Sequence, residues 1–373
     1  LDRVQLVFEK LFPNGVPFKV ITVAGTNGKG STVSFIDSIY QLSKYKVGRS
    51  TSPHLLKYNE RYAVDGEDAS DDVIIEAFEI IEGKREDIKL TYFEFSTLAA
   101  FIIFEKAEVD IAILEVGLGG RLDSVNVVDS DVSIITNIAI DHTDYLGDTR
   151  EAIGREKAGV MRGSRPCICG DQDPPQSLLA YAKEIGTDIT FVRKAYEDDI
   201  GLEGDHQRLN AAVAIQAVES LKEQHPISFS MIIEGVKSAT IKARFEKIEI
   251  GEKTIILDVA HNPAAVKTLV DTLSKSSMQT VAIFSALIDK DIIEMVDLAS
   301  NAIKHWYLVP LTAERAIESD ALKNKFSNPD STTICKDMNS AIQESLAYKE
   351  AERIVIFGSF YTIADASIII NKL

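Results

Sequence analysis

The sequence predicts a two-domain α/β protein in which each domain is built on a mainly parallel sheet. Three observations carry this. Short, continuous apolar runs at 20–24, 111–116 and 132–138 read as strands buried on both faces. They alternate with helical patterns at 31–42, 71–82, 95–105 and 150–161, the strand–helix rhythm of a parallel sheet. A second alternation starts near Phe245 and runs on for about 125 residues, a usual domain size.

The strand at 20–24 is β-branched and leads into a glycine-rich loop, and 31–42 then reads as a helix. The helix at 71–82 opens on Asp71 and Asp72, which suit a helix N-terminus. Residues 193–209 are polar, with Glu197-Asp198-Asp199 and several glycines, and read as loop. Helices follow at 210–222 and 231–239. In the second half, 247–250 and 254–259 read as strands paired around Gly251. Then come helix 264–274, strand 280–284, helix 292–302, strand 306–309, helix 321–326, strand 332–335, helix 340–348, strand 353–357 and helix 361–371. The boundary falls between 1–244 and 245–373.

A length of 373 residues, with 45% hydrophobic and 26% charged content, is enough for two separate cores. The charge balance, 40 basic against 57 acidic residues, gives −17 and argues against a nucleic-acid partner, which needs a basic face. It leaves room for a local basic pocket that takes small anions. Three cysteines, Cys167, Cys169 and Cys335, form no disulfide framework, and Cys167-Ile168-Cys169 lacks zinc spacing. Reduced thiols point to a cytoplasmic protein. No apolar run approaches the ~20 residues of a membrane span, and no signal peptide opens the chain, which starts mid-pattern at Leu1-Asp2-Arg3-Val4.

The strongest chemical signal is Gly25-Thr26-Asn27-Gly28-Lys29-Gly30-Ser31 after the first strand. Glycines let backbone N–H groups converge on phosphate oxygens, and a lysine adds charge. Ser31 can ligate a Mg²⁺ that bridges two phosphates. The usual spacing has Ser or Thr directly after Lys, and here Gly30 intervenes. The context makes the first domain P-loop NTPase-like.

Five weaker motifs follow. Glu115, at the end of an apolar strand in Leu114-Glu115-Val116-Gly117, reads either as a Mg²⁺ ligand or as half of a salt bridge to Arg121. His142 in Asp141-His142-Thr143-Asp144 also follows an apolar strand and can ligate metal, with Asp141 or Asp144 orienting it. Ser50-Thr51-Ser52-Pro53-His54 fits a turn or the edge of a metal site. Arg155-Glu156-Lys157-Ala158-Gly159 alone reads as a solvated charged face. Asp258-Val259-Ala260-His261-Asn262-Pro263 sits at a strand-to-helix turn. There Asp258 can accept from ribose hydroxyls and His261 can hold a carboxylate, while Asn262-Pro263 caps the helix.

Together these motifs, with Thr91-Tyr92-Phe93-Glu94 and Phe357-Gly358-Ser359-Phe360, resemble the folylpolyglutamate synthase/dihydrofolate synthase family of the Mur ligase superfamily, most closely its bifunctional bacterial form. The resemblance implies a smaller, Rossmann-like second domain and an enzyme of folate biosynthesis and one-carbon metabolism. Its implied catalytic residues are Lys29, Glu115, His142, Lys157 and His261. Thr26, Asn27, Gly28, Lys29, Gly30 and Ser31 would hold ATP, with Asn210, Arg244 and Asp258 completing the nucleotide contacts across the interdomain cleft. Ser31, Ser52, Glu115, His142 and a carbamylated Lys157 would ligate two Mg²⁺ ions. Thr91, Tyr92, Phe93, Glu94, Leu122, Asp123 and Ser124 would line the pterin-substrate site, and His261 and Ser285 the glutamate site. The implied small-molecule partners are dihydropteroate, tetrahydrofolate and L-glutamate, with no nucleic acid or membrane, and the implied state is a monomer. The chain departs from the family in three ways: little sequence precedes the loop strand, Ala243 stands where glycine is usual, and the stretches around 198–205 and 311–317 are short.

The implied reaction activates a carboxylate as an acyl phosphate, which the glutamate amine then attacks. Closure of the second domain would exclude water. Two rivals are weighed. A peptidoglycan-precursor ligase shares the loop and the lysine, but Gly-Lys-Gly-Ser and Thr-Tyr-Phe-Glu favour folate. A GTPase-type switch needs an Asn-Lys-x-Asp motif, and Asp289-Lys290-Asp291 is not one.

Overall fold

Lys19–Ala24 (β1) is the central strand of the first sheet, and five of its six residues are buried. The computed structural model describes residues 1–372. Around β1 lie Val47–Ser50 (β2), Tyr62–Val64 (β3), Glu67–Asp68 (β4), Ile111–Glu115 (β5), Val132–Ile135 (β6), Pro166–Cys169 (β7) and Asp188–Phe191 (β8). Their order is β4-β3-β2-β5-β1-β6-β7-β8. The pairs from β2 to β8 are parallel, and β3 and β4 add an antiparallel edge. Complete burial of β5 and β6 matches their unbroken apolar sequence, because helices cover both faces.

The chain divides into two units: Leu1–Gly201 with Gln207–Thr240, and Leu202–His206 with the residues from Ile241 onward. The second unit is a six-stranded sheet of Glu246–Ile250 (β9), Lys253–Leu257 (β10), Thr280–Phe284 (β11), Trp306–Leu308 (β12), Thr332–Ile334 (β13) and Arg353–Phe357 (β14). The order is β13-β12-β11-β14-β10-β9, with only β9 antiparallel. Its core packs Phe284 against Trp306 and Phe357, with ring centroids 5.5 and 4.9 Å away. Both units are thus α/β on mainly parallel sheets.

Some elements differ from the sequence reading. The strand expected over 132–138 ends at Ile135, and the next residues turn to meet the glycine-rich loop. The polar stretch 193–209 already contains the start of a helix, Asp205–Glu219. The helices Asp2–Leu11 and Gln176–Ile185, and the strands β2, β3, β4, β7 and β8, had no clear signal. Strands of two to four residues are too short to show a period. All three cysteines are free and buried. No helix among the described residues is long and apolar enough to cross a membrane.

The entry to β9 is strained. Ala243, where glycine is usual in the resembling family, has φ 58° and is buried. A left-handed L-residue costs roughly 1–2 kcal/mol, against about 0.4–1 kcal/mol of extra unfolded-state entropy for glycine. Ala243→Gly is therefore expected to stabilise the second unit by about 1 kcal/mol. Denaturant titration read through Trp306, the chain's single tryptophan, measures this, and an unchanged or lower midpoint refutes it.

Candidate active site

The site begins where β1 ends. Gly25 and Gly28 have φ of 147° and 83°, conformations open to glycine and strained for other residues. Residues 136–139 anchor the loop. Thr26 N donates to Asn137 O and Asn27 N to Asn137 Oδ1, both at 2.9 Å. Thr26 Oγ1 donates to Ala139 O and accepts from Ala139 N, at 3.1 and 3.0 Å. Thr136 Oγ1 donates to Asn27 O at 2.7 Å. A Cβ on Gly25 would overlap the Thr136 hydroxyl, and one on Gly28 would lie 2.7 Å from Asn210 Oδ1.

Lys29 opens the helix Lys29–Leu42, with Gly30 and Ser31 in its first turn. The Lys29 ammonium lies over the loop, donating to Gly25 O and Thr26 O at 3.1 and 3.2 Å. Ser31 is buried, as is Thr32, whose hydroxyl makes no hydrogen bond among the described residues. This is a helix N-terminus faced by backbone amides and a lysine, a geometry that favours phosphate.

Glu115 ends β5, opposite Val23 of β1, and is buried. Ser52 N, beyond the end of β2, donates to Glu115 Oε2 at 3.2 Å. Three adjacent parallel strands thus deliver the loop, the carboxylate and Ser52 to one sheet edge. Arg121, the alternative partner for Glu115, pairs with Glu156 at 2.8 Å. His142 has a left-handed backbone, φ 53°, and a side chain that is 40% exposed. Its Nε2 lies 4.0 Å from Asp141 Oδ2.

Lys157 sits in the helix Arg150–Ala158 with only 4% exposure, so the solvated-face reading of its motif fails at this residue. Burial, with the nearby charge of Lys29, pushes its pKa down to about 7. Asp141 and Asp123 pull the other way. Lys29, Asp123, Asp141 and Lys157 therefore share one electrostatic neighbourhood.

The residues assigned to the pterin site divide into two groups. Tyr92 and Leu122 are 61% and 62% exposed, and the Phe93 ring lies against Gly117. Thr91 and Glu94 instead form the capping box of the helix Tyr92–Lys106, and Glu94 also pairs with Arg3 at 2.9 Å. The Asp123 carboxylate accepts from Leu118 N and Val125 N at 2.8 and 3.0 Å. Burial raises its pKa to about 6. Ser124 Oγ shares a hydrogen bond with Thr97 Oγ1.

Among the described residues no three His, Cys, Asp or Glu side chains form a ready metal cage. The donors at hand are hydroxyls and a buried carboxylate. Mg²⁺ uses such oxygen donors, held by one or two carboxylates together with substrate phosphates. The residues therefore fit this ion.

Asn210 is buried, and its Nδ2 donates to Gln207 Oε1 at 2.9 Å. In the second unit, Asp258 accepts from Phe245 N and Ala260 N, each at 2.8 Å. Burial raises its pKa, and the Arg244 charge opposes that. The Arg244 guanidinium lies 5.5 Å from the Phe360 ring centroid. The His261 ring lies 6.1 Å from that of Phe360, and its Nδ1 is 2.8 Å from Val259 O. Asn262 caps the next helix through Ala265 N, so the capping reading holds alongside the others. Ser285 follows β11, fully buried, with no partner for its hydroxyl among the described residues. The sequence reading missed Thr136, Asn137, Ala139 and Gln207. The polar pair Thr136-Asn137 inside an apolar run was the available signal for the first two.

Two family profiles match the chain: the Mur ligase middle domain over residues 23–174 and the Mur ligase glutamate ligase domain over 243–360. The dihydrofolate synthase/folylpolyglutamate synthase of Escherichia coli K12 is 36% identical, covering 100% of this chain and 91% of its own length. The Haemophilus influenzae protein of the same name is 35% identical, covering 98% and 92%. A structure of the E. coli protein in complex with DHPP and ADP superposes with a TM-score of 0.93 at 34% identity, covering 100% of this chain and 93% of that one. A bifunctional folylpolyglutamate synthase/dihydrofolate synthase with Mn, AMPPNP and L-glutamate bound gives 0.92 at 37%, covering 100% and 94%. The chain therefore belongs to the dihydrofolate synthase/folylpolyglutamate synthase family of the Mur ligases and is an ATP-dependent ligase of folate metabolism.

Proposed function

We propose that this chain joins L-glutamate both to dihydropteroate and to the γ-carboxylate of reduced folates, through an acyl phosphate. The observation that carries the reading is the buried Lys157 beside the loop lysine Lys29, on the same sheet edge as Glu115. Relatives crystallised with DHPP and ADP, and with Mn, AMPPNP and L-glutamate, support the substrate classes.

In this reading residues 1–244 bind ATP and the acceptor, and 245–373 bind glutamate. The amides of Gly28 to Ser31 and the Lys29 ammonium cradle the ATP phosphates, in a loop that Thr26 and Asn27 hold in place. An acceptor carboxylate oxygen attacks the γ-phosphorus, and ADP leaves. Lys29 stabilises charge on the transferring phosphoryl group. The glutamate nitrogen then attacks the acyl carbon, loses a proton, and phosphate departs. Tyr92, Phe93 and Leu122 form the acceptor wall, which Thr91, Glu94, Asp123 and Ser124 hold in shape. Asn210, Arg244 and Asp258 serve the nucleoside, and His261 and Ser285 the glutamate carboxylates. Two Mg²⁺ ions, ligated by Ser31, Ser52, Glu115, His142 and modified Lys157, would supply charge neutralisation on the phosphates. The protein acts as a cytoplasmic monomer.

Lys157 suits carbamylation. A pKa of about 7 leaves a large neutral fraction near neutral pH. The neutral amine adds to the carbon of CO₂ and releases one proton, giving a carboxylate-like group. Rising pH increases the neutral fraction through this window. Intact-mass measurement in bicarbonate buffer is expected to show one CO₂ adduct that is lost on acidification and absent in Lys157→Ala. An unmodified wild-type mass at every pH refutes it.

Two further outcomes are expected. Lys29→Ala should cut glutamate-dependent ADP release by about 100-fold or more, measured with dihydropteroate and tetrahydrofolate in parallel. Near-normal turnover sinks the loop assignment, and activity with only one acceptor removes the other from the proposal. Gly25→Ala should weaken ADP binding at least about tenfold by displacing Thr136, a cost of ~1.4 kcal/mol. Unchanged affinity by calorimetry refutes the role given to that close approach.

A further inference from the structure

The second unit holds a cavity of about 660 Å³ at the edge of the sheet where its strands begin, lined by the first residues of β11, β12 and β14. Asp258 and Ser285 follow the opposite ends of their strands. Five residues of strand separate the two edges, roughly 16 Å. The cavity is therefore not part of the ligase site.

Arg353 opens β14 and lines the cavity with only 5% exposure. Its Nε donates to Thr280 Oγ1 at 2.8 Å and its Nη2 to Leu273 O at 2.9 Å. Both acceptors are neutral. Leu273 ends the helix Pro263–Leu273, whose terminal dipole supplies about half a negative charge at most. Arg353 makes no ion pair among the described residues. The neighbouring Glu352 accepts from Gln279 N, and its charge offsets only part of the cost of burying Arg353, whose pKa stays below the ordinary arginine value. A buried cation that no carboxylate pairs with directly is costly unless something supplies the missing charge.

The other walls suit a small polar anion. Lys304 adds a second positive charge at the rim, Ser300 and Ser331 bring hydroxyl donors, and Trp306 and Phe326 form an apolar wall, while the one carboxylate of the lining, the exposed Asp297, accepts from Ser327 Oγ and leaves the two cations in excess. The volume lies within the range of small-ligand sites. We propose that this cavity binds a small oxyanion, a carboxylate or phosphate group, whose charge completes Arg353.

Trp306 is the chain's single tryptophan and lines the cavity, so its emission reports binding there. The full-length protein, with its nucleotide loop kept filled by ADP and Mg²⁺, is titrated with inorganic phosphate and separately with citrate. Sodium chloride at matched ionic strength is the control. A saturable change with either anion is expected. Whichever one binds identifies the source as phosphate or carboxylate. The midpoint should rise at least threefold in Lys304→Ala, and the change should vanish in Arg353→Gln and in Ser331→Leu, which fills the cavity. If Arg353→Gln does not fold, the other two variants decide. No saturable change with either anion by tens of millimolar overturns the proposal. So does a change retained in both rim variants, or one abolished by Lys29→Ala.

Discussion

The docking of the loop Gly25–Ser31 on residues 136–139 is the constraint on which the site depends. β1 and β6 are neighbours in the sheet, so their C-terminal extensions emerge side by side. Thr136, Asn137 and Ala139 then take up the loop's polar atoms one by one. This fixes the loop from below. Only glycine at 25 allows the approach, because any side chain would collide with Thr136. The same extension continues to Asp141 and His142. Loop position and the histidine's position are consequences of one local fold, further braced where Asp171 accepts from Ile138 N at 2.6 Å.

Against that frame the two lysines are set in opposition. Two ammonium groups in one desolvated region repel, and the one buried more deeply yields its proton first. Lys157 is that one, held down to about 7. Its lowered pKa has a sign for stability. Between about pH 7 and the ordinary lysine value the unfolded chain holds a proton that the folded chain lacks, so stability from this group rises with pH across that window. Asp123, raised to about 6, works in its own window. The folded chain holds the extra proton between the ordinary aspartate value and about pH 6, so its contribution is lost as pH rises through that range. The pocket is arranged to control protonation at the expense of stability.

The fold was largely readable because continuous apolar strands and amphipathic helices leave unambiguous traces. The short strands β3, β4, β7 and β8 were not, since two to four residues carry no period. At the site, Gly25, Lys29, Glu115 and Lys157 were readable as residue types in a pattern. Their environment was not. The sequence says nothing of how deeply Lys157 is buried, and that burial turns a charged-face motif into an amine of lowered pKa. It also offered Arg121 as a partner for Glu115, whereas the fold gives Arg121 to Glu156. Thr91 and Glu94 form the reciprocal pattern of a helix cap, Thr-x-x-Glu. They hold the start of that helix in shape, with the exposed Tyr92 between them.

The second unit concentrates strain around one residue. Arg244 is flanked by Ala243 and Phe245, both non-glycine residues with left-handed backbones at φ 58° and 52°. Two such residues in three are unusual, and they persist only where surrounding bonds over-determine them. Those bonds are present: Ala243 N donates to Glu246 Oε2, Val259 N to Ala243 O, and Phe245 N to the Asp258 carboxylate. Asp258 thereby holds the backbone on one side of Arg244 while its own charge is favoured by the guanidinium. The twist carries Arg244 over the Phe360 ring, where His261 also packs. A relaxed backbone would let the arginine swing into solvent and leave Asp258 buried without its cation. Strain at 243 and 245 and the place of Arg244 beside Asp258 are therefore two sides of one arrangement, each needed to keep the other.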